Sequence, residues 1–599
     1  MPRRLIVPLI AAFALVPAAS AHAGWLPAVA LDGPNAEVQE VGNVDLARDG
    51  AGAVGYLRSG RAHVVRIFDG AWRGPEQLDF GPGNTTEVKV AAGDGNRLAV
   101  AWLSGGVVYA AVSPGGGPPG GFTPAVALGG PGASDIDIDL GVNGAAYLIW
   151  QEAGNVAAAR LQDSTWTRVG APLDIDVARE AGTGALRPRV AVSAEGYAVA
   201  TWGERFPDGS THVFGRRITG LNLSQHPQDL TLAGGSADSP DIDIEDDGSF
   251  AWVVFRQDMA GVPRTVGRRL IGSQYEAPEA IDSGAPSTRP KVDMSGTGRG
   301  YAVAEANGGA QVVGSWLDHD HFQTPARLDS IDSAVPSKPE VASGDRNDSA
   351  IAWRVGFADG NSIARARFKG EDEPFGAEAT VSRGDLGPVA DPGVFIGGDR
   401  IGDFAVAMVQ GAPGARALVV SVFDRPPGAP FIESSQTYKR QTRPELHWRP
   451  GLELWGAQTY RVFVDGVQVG QTQNDVLVPS TPLTTGRHRW QVEAVDRAGQ
   501  TTRSRLRTLK IDATAPRLRV SVSGRRAAGA GLRIRVRATD RGGAGLSHTT
   551  VDYGDRSPTT RSRSTTHRYR RGTFTLKVAA VDKAGNVTRK RVKLRIKRS

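Results

Sequence analysis

Trp25-Leu-Pro27-Ala-Val-Ala-Leu31 nearly duplicates Phe122-Thr-Pro124-Ala-Val-Ala-Leu128. The later copy is one of seven that sit in line within a unit of roughly 50 residues, whereas the earlier one stands alone before the units begin. Each unit carries three phrases in order. The first is a buried strand ending in an aromatic, as in Leu98-Ala-Val-Ala-Trp102, Ala146-Tyr-Leu-Ile-Trp150 and Phe250-Ala-Trp-Val-Val-Phe255. The second is a strand that often carries arginine, in eight copies from 63–68 to 417–423, most followed by a tight turn such as Asp69-Gly70. The third is the run quoted above. The eighth copy of the second phrase, ending at Phe423, has no third phrase after it. The orphan at Trp25 supplies the missing strand if the two ends pair, and the units then close into a ring that leaves no sheet edge open.

An innermost strand precedes the first phrase of the units, as in Val44-Asp45-Leu46, Ile138-Asp139-Leu140, Val190-Ala191-Val192, Ile242-Asp243-Ile244 and Val292-Asp293-Met294. Four strands per unit predict an all-β chain with an eight-bladed β-propeller over 24–425. The count falls to seven if the unit around Phe404-Ala-Val-Ala-Met408 is not a blade. This wording, a "GxAxVxW" strand, an Asp-Gly loop and an "RR" strand, resembles the repeat arrays of secreted actinobacterial proteins. The resemblance implies a propeller and no particular activity.

Beyond the stiff Pro426-Pro-Gly-Ala-Pro430 linker, alternating runs such as Tyr460-Arg-Val-Phe-Val464 and Arg489-Trp-Gln-Val-Glu-Ala-Val495 predict an immunoglobulin-like sandwich over 426–513. It resembles a fibronectin type III module. After Asp512-Ala-Thr-Ala-Pro516 come Val551-Asp-Tyr-Gly-Asp555, His567-Arg-Tyr569, Gly572-Thr-Phe-Thr575 and Val581-Asp-Lys-Ala-Gly585-Asn586. These phrases resemble the PKD domain, with Arg556 where that family has a glycine, and the resemblance implies a spacer or interaction module over 514–599.

Arg3 and Arg4, an apolar run, and Ala21-His22-Ala23 make a secretory signal peptide over 1–23, which predicts an extracellular protein, free or held at the cell surface. The general secretory route fits these residues better than the twin-arginine route. The 599 residues hold no cysteine, which excludes disulfides, thiolate metal sites and a cysteine nucleophile. No apolar stretch reaches the roughly 20 residues of a membrane span. The net charge of +7 hides a segregation: 515–599 hold 23 Lys and Arg against 4 Asp and Glu, whereas 24–425 hold 33 against 51. Such asymmetry bears on partners rather than on fold.

Asp45, Asp139, Asp243 and Asp293 recur at one position of the innermost strand. They either gather a Ca²⁺-like cation near the central tunnel or accept backbone amides from the neighbouring blade. His319-Asp320-His321 is a metal-ligand pattern or a solvated turn. Trp102, Trp150, Trp202 and Trp353 either stack on sugars or fill the core between blades. The stretches 204–210 and 257–263 are expected as variable loops offering a binding surface. No S-x-D-x-G-x-T-W box, H-E-x-x-H, G-x-S-x-G or phosphate loop is present. The expectation is therefore a non-catalytic surface or matrix binding protein, acting as a monomer without a cofactor on an extracellular glycan, a polyanion or a surface protein rather than a nucleic acid. The alternative is a propeller-based glycan hydrolase or lyase with accessory modules.

Overall fold

The computed structural model describes residues 24–598 apart from 82, 117–119, 225, 331–333, 372, 434–436 and 542, so the signal peptide expected over 1–23 lies outside the described residues. The chain is all-β; among the described residues the one helical element is the short turn Gly184–Leu186. No helix among them is long and apolar enough to cross a membrane. Two compact units emerge: one runs to Arg425 and includes Leu454–Gly456, and the other comprises Pro426–Glu453 and Ala457–Ser599.

In the first unit, 24–424 form eight sheets. Blade 1 runs Val38–Leu46, Gly52–Arg58, Arg61–Phe68 and Ala71–Gln77, each antiparallel to the next. Blade 8 has Val389–Gly398, Phe404–Gln410 and Arg416–Asp424, and its outer strand comes from the other end of the unit. Gly24 pairs with Asp424, Trp25 with Phe423 and Val29 with Val420, which is the closure that the orphan phrase implies. Each innermost strand packs beside those of the sheets before and after it, and that of blade 8 returns to that of blade 1. This is the arrangement of a propeller.

The first-phrase strands read as continuous apolar runs because blades stack on both of their faces; Ala146–Glu152 is buried at every position but the last. Trp102, Trp150, Trp202 and Trp353 are at most 2% exposed and belong to these inter-blade cores, so their rings are not free to stack on a sugar. The outer strands are interrupted where proline removes a ladder donor. Blade 5, for example, has Gln274–Tyr275 and Glu279–Ala280 on either side of Pro278. One expected loop is not a loop. Residues 257–263 continue Phe250–Met259 into Val262–Ile271 through a two-residue turn at Ala260 and Gly261, both at positive φ, the geometry that suits strand twist in a tight hairpin.

The second unit holds two modules. In the first, the sheet containing Thr459–Val464 and Gly486–Val495 faces the pair Leu446–His447 and Val476–Leu477 across a core of Trp448, Tyr460 and Trp490. In the second, the sheet Arg517–Ser523, Gly531–Thr539 and Ser564–Arg568 faces the sheet Leu546–Asp552, Gly572–Asp582 and Val587–Ile596. Leu532, Ile534 and Val536 from one side meet Leu576, Val578 and Leu594 from the other.

Candidate functional site

The innermost strands surround an axial channel of about 670 Å³. Because side chains alternate along a strand, every second residue faces the axis, and equivalent positions of successive blades form layers. In the middle layer, Lys89, Asp137, Arg189, Asp241, Lys291 and Glu340 follow one another with strictly alternating sign. Arg189 lies 3.3 Å from Asp137 and 3.5 Å from Asp241; Lys291 lies 3.7 Å from Asp241 and 3.5 Å from Glu340. Burial works against the charge of Arg189, but Asp137 and Asp241 outweigh it and raise its pKa. Lys89 ends the series: its Nζ donates to the Gly42 carbonyl at 2.9 Å and sits 5.3 Å from the Phe395 ring centroid. Burial brings its pKa down to about 8.

The next layer holds the four recurring aspartates. Asp45 accepts the Ala92 amide at 2.7 Å, while Asp139, Asp243 and Asp293 accept those of Val192, Met294 and Ser343, each at 2.6 Å. Each carboxylate thus ties its blade to the following one. The innermost strands of blade 2 (Thr85–Gly93), blade 4 (Arg189–Val192) and blade 7 (Val335–Gly344) have Ala91, Ala191 and Ala342 in the same layer. Burial raises the pKa of Asp45 to about 7 and that of Asp139 to about 6, and also raises those of Asp243 and Asp293. Among the described residues, these four are not the carboxylates that converge; the convergent group is Asp512, Asp540 and Asp582 of the second unit, whose ligand atoms lie within 4.8 Å of one another. There too backbone amides donate, Ala544 to Asp512 at 2.6 Å and Gly545 to Asp540 at 2.8 Å.

Sequence reasoning missed the layer nearest the channel mouth. Ser239, Arg289 and Lys338 adopt positive φ at register shifts in their strands, each just before a proline (Pro240, Pro290 and Pro339). Such bulges re-aim a side chain. The recurring x-Pro step two residues before the channel charge was the available signal.

In His319-Asp320-His321 the first two residues form a solvated turn and His321 opens the strand His321–Phe322: Asp320 pairs with Arg269, and His321 lies 2.6 Å from Glu279. The stretch 204–210 joins Tyr197–Arg205 to Thr211–Thr219, and Glu204 within it turns inward to accept Trp202 Nε1 at 3.1 Å.

A cleft of about 820 Å³ opens between blades 1 and 2. Its walls include Trp102 stacked on Tyr109, Phe122 with the Arg66 guanidinium 4.2 Å from its centroid, and Phe80, which is 81% exposed. Its two carboxylates are engaged. Glu76 lies 3.1 Å from Arg66. Asp79 accepts Thr85 Oγ1 at 2.5 Å, Ser104 Oγ at 3.2 Å and the Gly81 amide at 2.8 Å.

The fold and its channel define an all-β protein of the propeller class. No family model matches the sequence and no curated protein matches it. Among solved structures, the Dos1 propeller is similar over 67% of this chain and 95% of its own, with a TM-score of 0.40 and 9% identity. A Penicillium chrysogenum α-L-arabinanase complexed with arabinobiose is similar over 49% of this chain and 93% of its own, with a TM-score of 0.31 and 12% identity. One of two prolyl endopeptidases analysed for inter-domain dynamics covers 70% of this chain over 58% of its own, with a TM-score of 0.37 and 14% identity.

Proposed function

We propose that this is an exported, non-catalytic binding protein whose propeller holds an extracellular glycan in the cleft between blades 1 and 2. The carrying observation is the chemistry of that cleft. Aromatic faces and edges at Phe80, Tyr109 and Phe122 suit the apolar faces of sugar rings, and Gln77, Ser104 and Thr123 line the same cavity with hydrogen-bonding groups. Glycoside hydrolysis needs an acid and a second carboxylate free to act on either side of the scissile bond. Here Glu76 is held by Arg66, and Asp79 is saturated by hydroxyls and an amide. In this reading 1–23 direct export, 24–425 form the ligand platform, and 426–513 and 514–599 are spacer or interaction modules of a monomer.

The test is a glycan array run on the mature full-length protein, followed by calorimetry on the best oligosaccharide. Phe80→Ala and Tyr109→Ala should each weaken binding about fivefold or more, since stacking on an aromatic contributes about 1 kcal/mol or more. Release of new reducing ends from any array member would replace this reading with that of a hydrolase.

A further inference from the structure

One face of the second module carries charge without compensation. On the sheet formed by Arg517–Ser523, Gly531–Thr539 and Ser564–Arg568, the inward positions are buried or half-buried and the outward ones exposed. The outward positions hold six arginines, and the remaining side chains are all hydroxyls. The register arranges them in rows: Arg533 lies between Ser523 and Thr566, Arg535 between Ser521 and Ser564, and Arg537 opposite Arg519. No carboxylate shares the face. Among the described residues, none of the six arginines makes an ion pair. Like charges directly opposite, as at Arg519 and Arg537, disfavour the sheet.

We propose that this face is a docking surface for a linear phosphodiester polymer without bases, laid along Gly531–Thr539. Alternate residues on a strand are about 6.7 Å apart, so Arg533, Arg535 and Arg537 present one guanidinium per repeat along a line. A phosphodiester carries one charge and two non-bridging oxygens, which the planar guanidinium fork takes as a pair of charge-assisted hydrogen bonds. The serine and threonine hydroxyls on either side add donors to the same oxygens. No aromatic residue stands on the face, so it lacks the platform on which single-stranded nucleic acids stack their bases.

The experiment uses the full-length protein and purified poly(glycerol phosphate), with a single-stranded oligonucleotide of equal charge as comparator, across a salt series. The triple variant Arg533→Gln, Arg535→Gln, Arg537→Gln should lose more than tenfold in affinity at low salt. Its slope of log affinity against log salt should flatten by about 2, because each phosphate contact contributes roughly 0.7–0.9. The variant Arg589→Gln, Arg591→Gln, Lys593→Gln removes the same charge from the other sheet and should stay within threefold of the parent. A thermal midpoint for the first triple at or above that of the parent excludes misfolding as the cause. The proposal is overturned if poly(glycerol phosphate) does not bind, or if both triples lose affinity equally, which would leave net charge alone. It is also overturned if the oligonucleotide binds more tightly, which would make the face a nucleic-acid surface.

Discussion

A half-buried aspartate beside the axis resists ionisation more in the fold than in the unfolded chain. Asp45 titrates near 7 and Asp139 near 6 instead of the ordinary 3.8, burial being the main cause. The folded state therefore binds more protons than the unfolded one between about pH 4 and 7. The stability these groups contribute is complete below that window and is lost as pH rises through it. Denaturant melts should show the propeller more stable at pH 5 than at pH 7.5. Asp45→Asn keeps an acceptor for the Ala92 amide and removes the charge, so it should gain about 1 kcal/mol at pH 7.5 and flatten the pH dependence, the partial exposure of the carboxyl reducing the full effect. A variant less stable than the parent at pH 7.5 would show that Asp45 acts as an anion. Arg189→Gln should act in the opposite direction. It takes the guanidinium from Asp137 and leaves Asp241 with Lys291 alone, and should cost about 2 kcal/mol, measured by the same melts. The recurrence of the aspartates at one strand position was visible in the sequence. The alternation around the middle layer was not, because about 50 residues separate each of these charges from the next, and only the stacking of successive blades sets them side by side.

At the scale of the element, period and turn chemistry decided most of what could be read. Apolar runs ending in tryptophan announce strands covered on both sides, and the structure buries Trp150 and its neighbours accordingly. The stretch 257–263 follows a first-phrase strand, where a variable loop is expected, and it carries Asp258, Gly261 and Pro263, residue types common in turns. Pairing with the preceding strand overrides them, and only Ala260 and Gly261 make the turn. Gly261 sits at φ +80° with open space where a Cβ would go, so Gly261→Ala should cost only the backbone term, about 1 kcal/mol. Gly402 has a similar φ of +85°, but an added Cβ would lie 2.2 Å from a carboxylate oxygen of buried Asp348. Gly402→Ala should therefore be clearly the more destabilising of the two. Equal losses in melting would show that contact does not matter at the second turn.

For the whole molecule, ring closure joins segments some 400 residues apart in sequence, which is the slowest and most entropically demanding kind of contact to form. It was nonetheless legible, because it rests on a phrase missing at one end and a nearly identical copy of it orphaned at the other. The cleft was not legible: Phe80 and Tyr109 belong to different blades and different phrases, and no spacing links them. The pairing of Gly24–Trp25 and Val29–Asn35 with Arg416–Asp424 also places the Trp25 ring edge-on to Phe423, with centroids 5.4 Å apart. Trp25→Ala should cost about 2 kcal/mol, less than the 3–5 of a fully buried aromatic because Trp25 is only half-buried. Removal of 24–31 should do something different in kind. It leaves blade 8 with three strands and exposes the edge of Arg416–Asp424, so that blade can open without the rest. Amide exchange should then show Phe404–Gln410 and Arg416–Asp424 losing protection ahead of blades 3 to 6, and the denaturant transition of the propeller should broaden. A truncated chain that keeps one sharp transition and uniform protection would mean that contacts between neighbouring blades hold the ring together, with the terminal strand adding stability but not cooperativity.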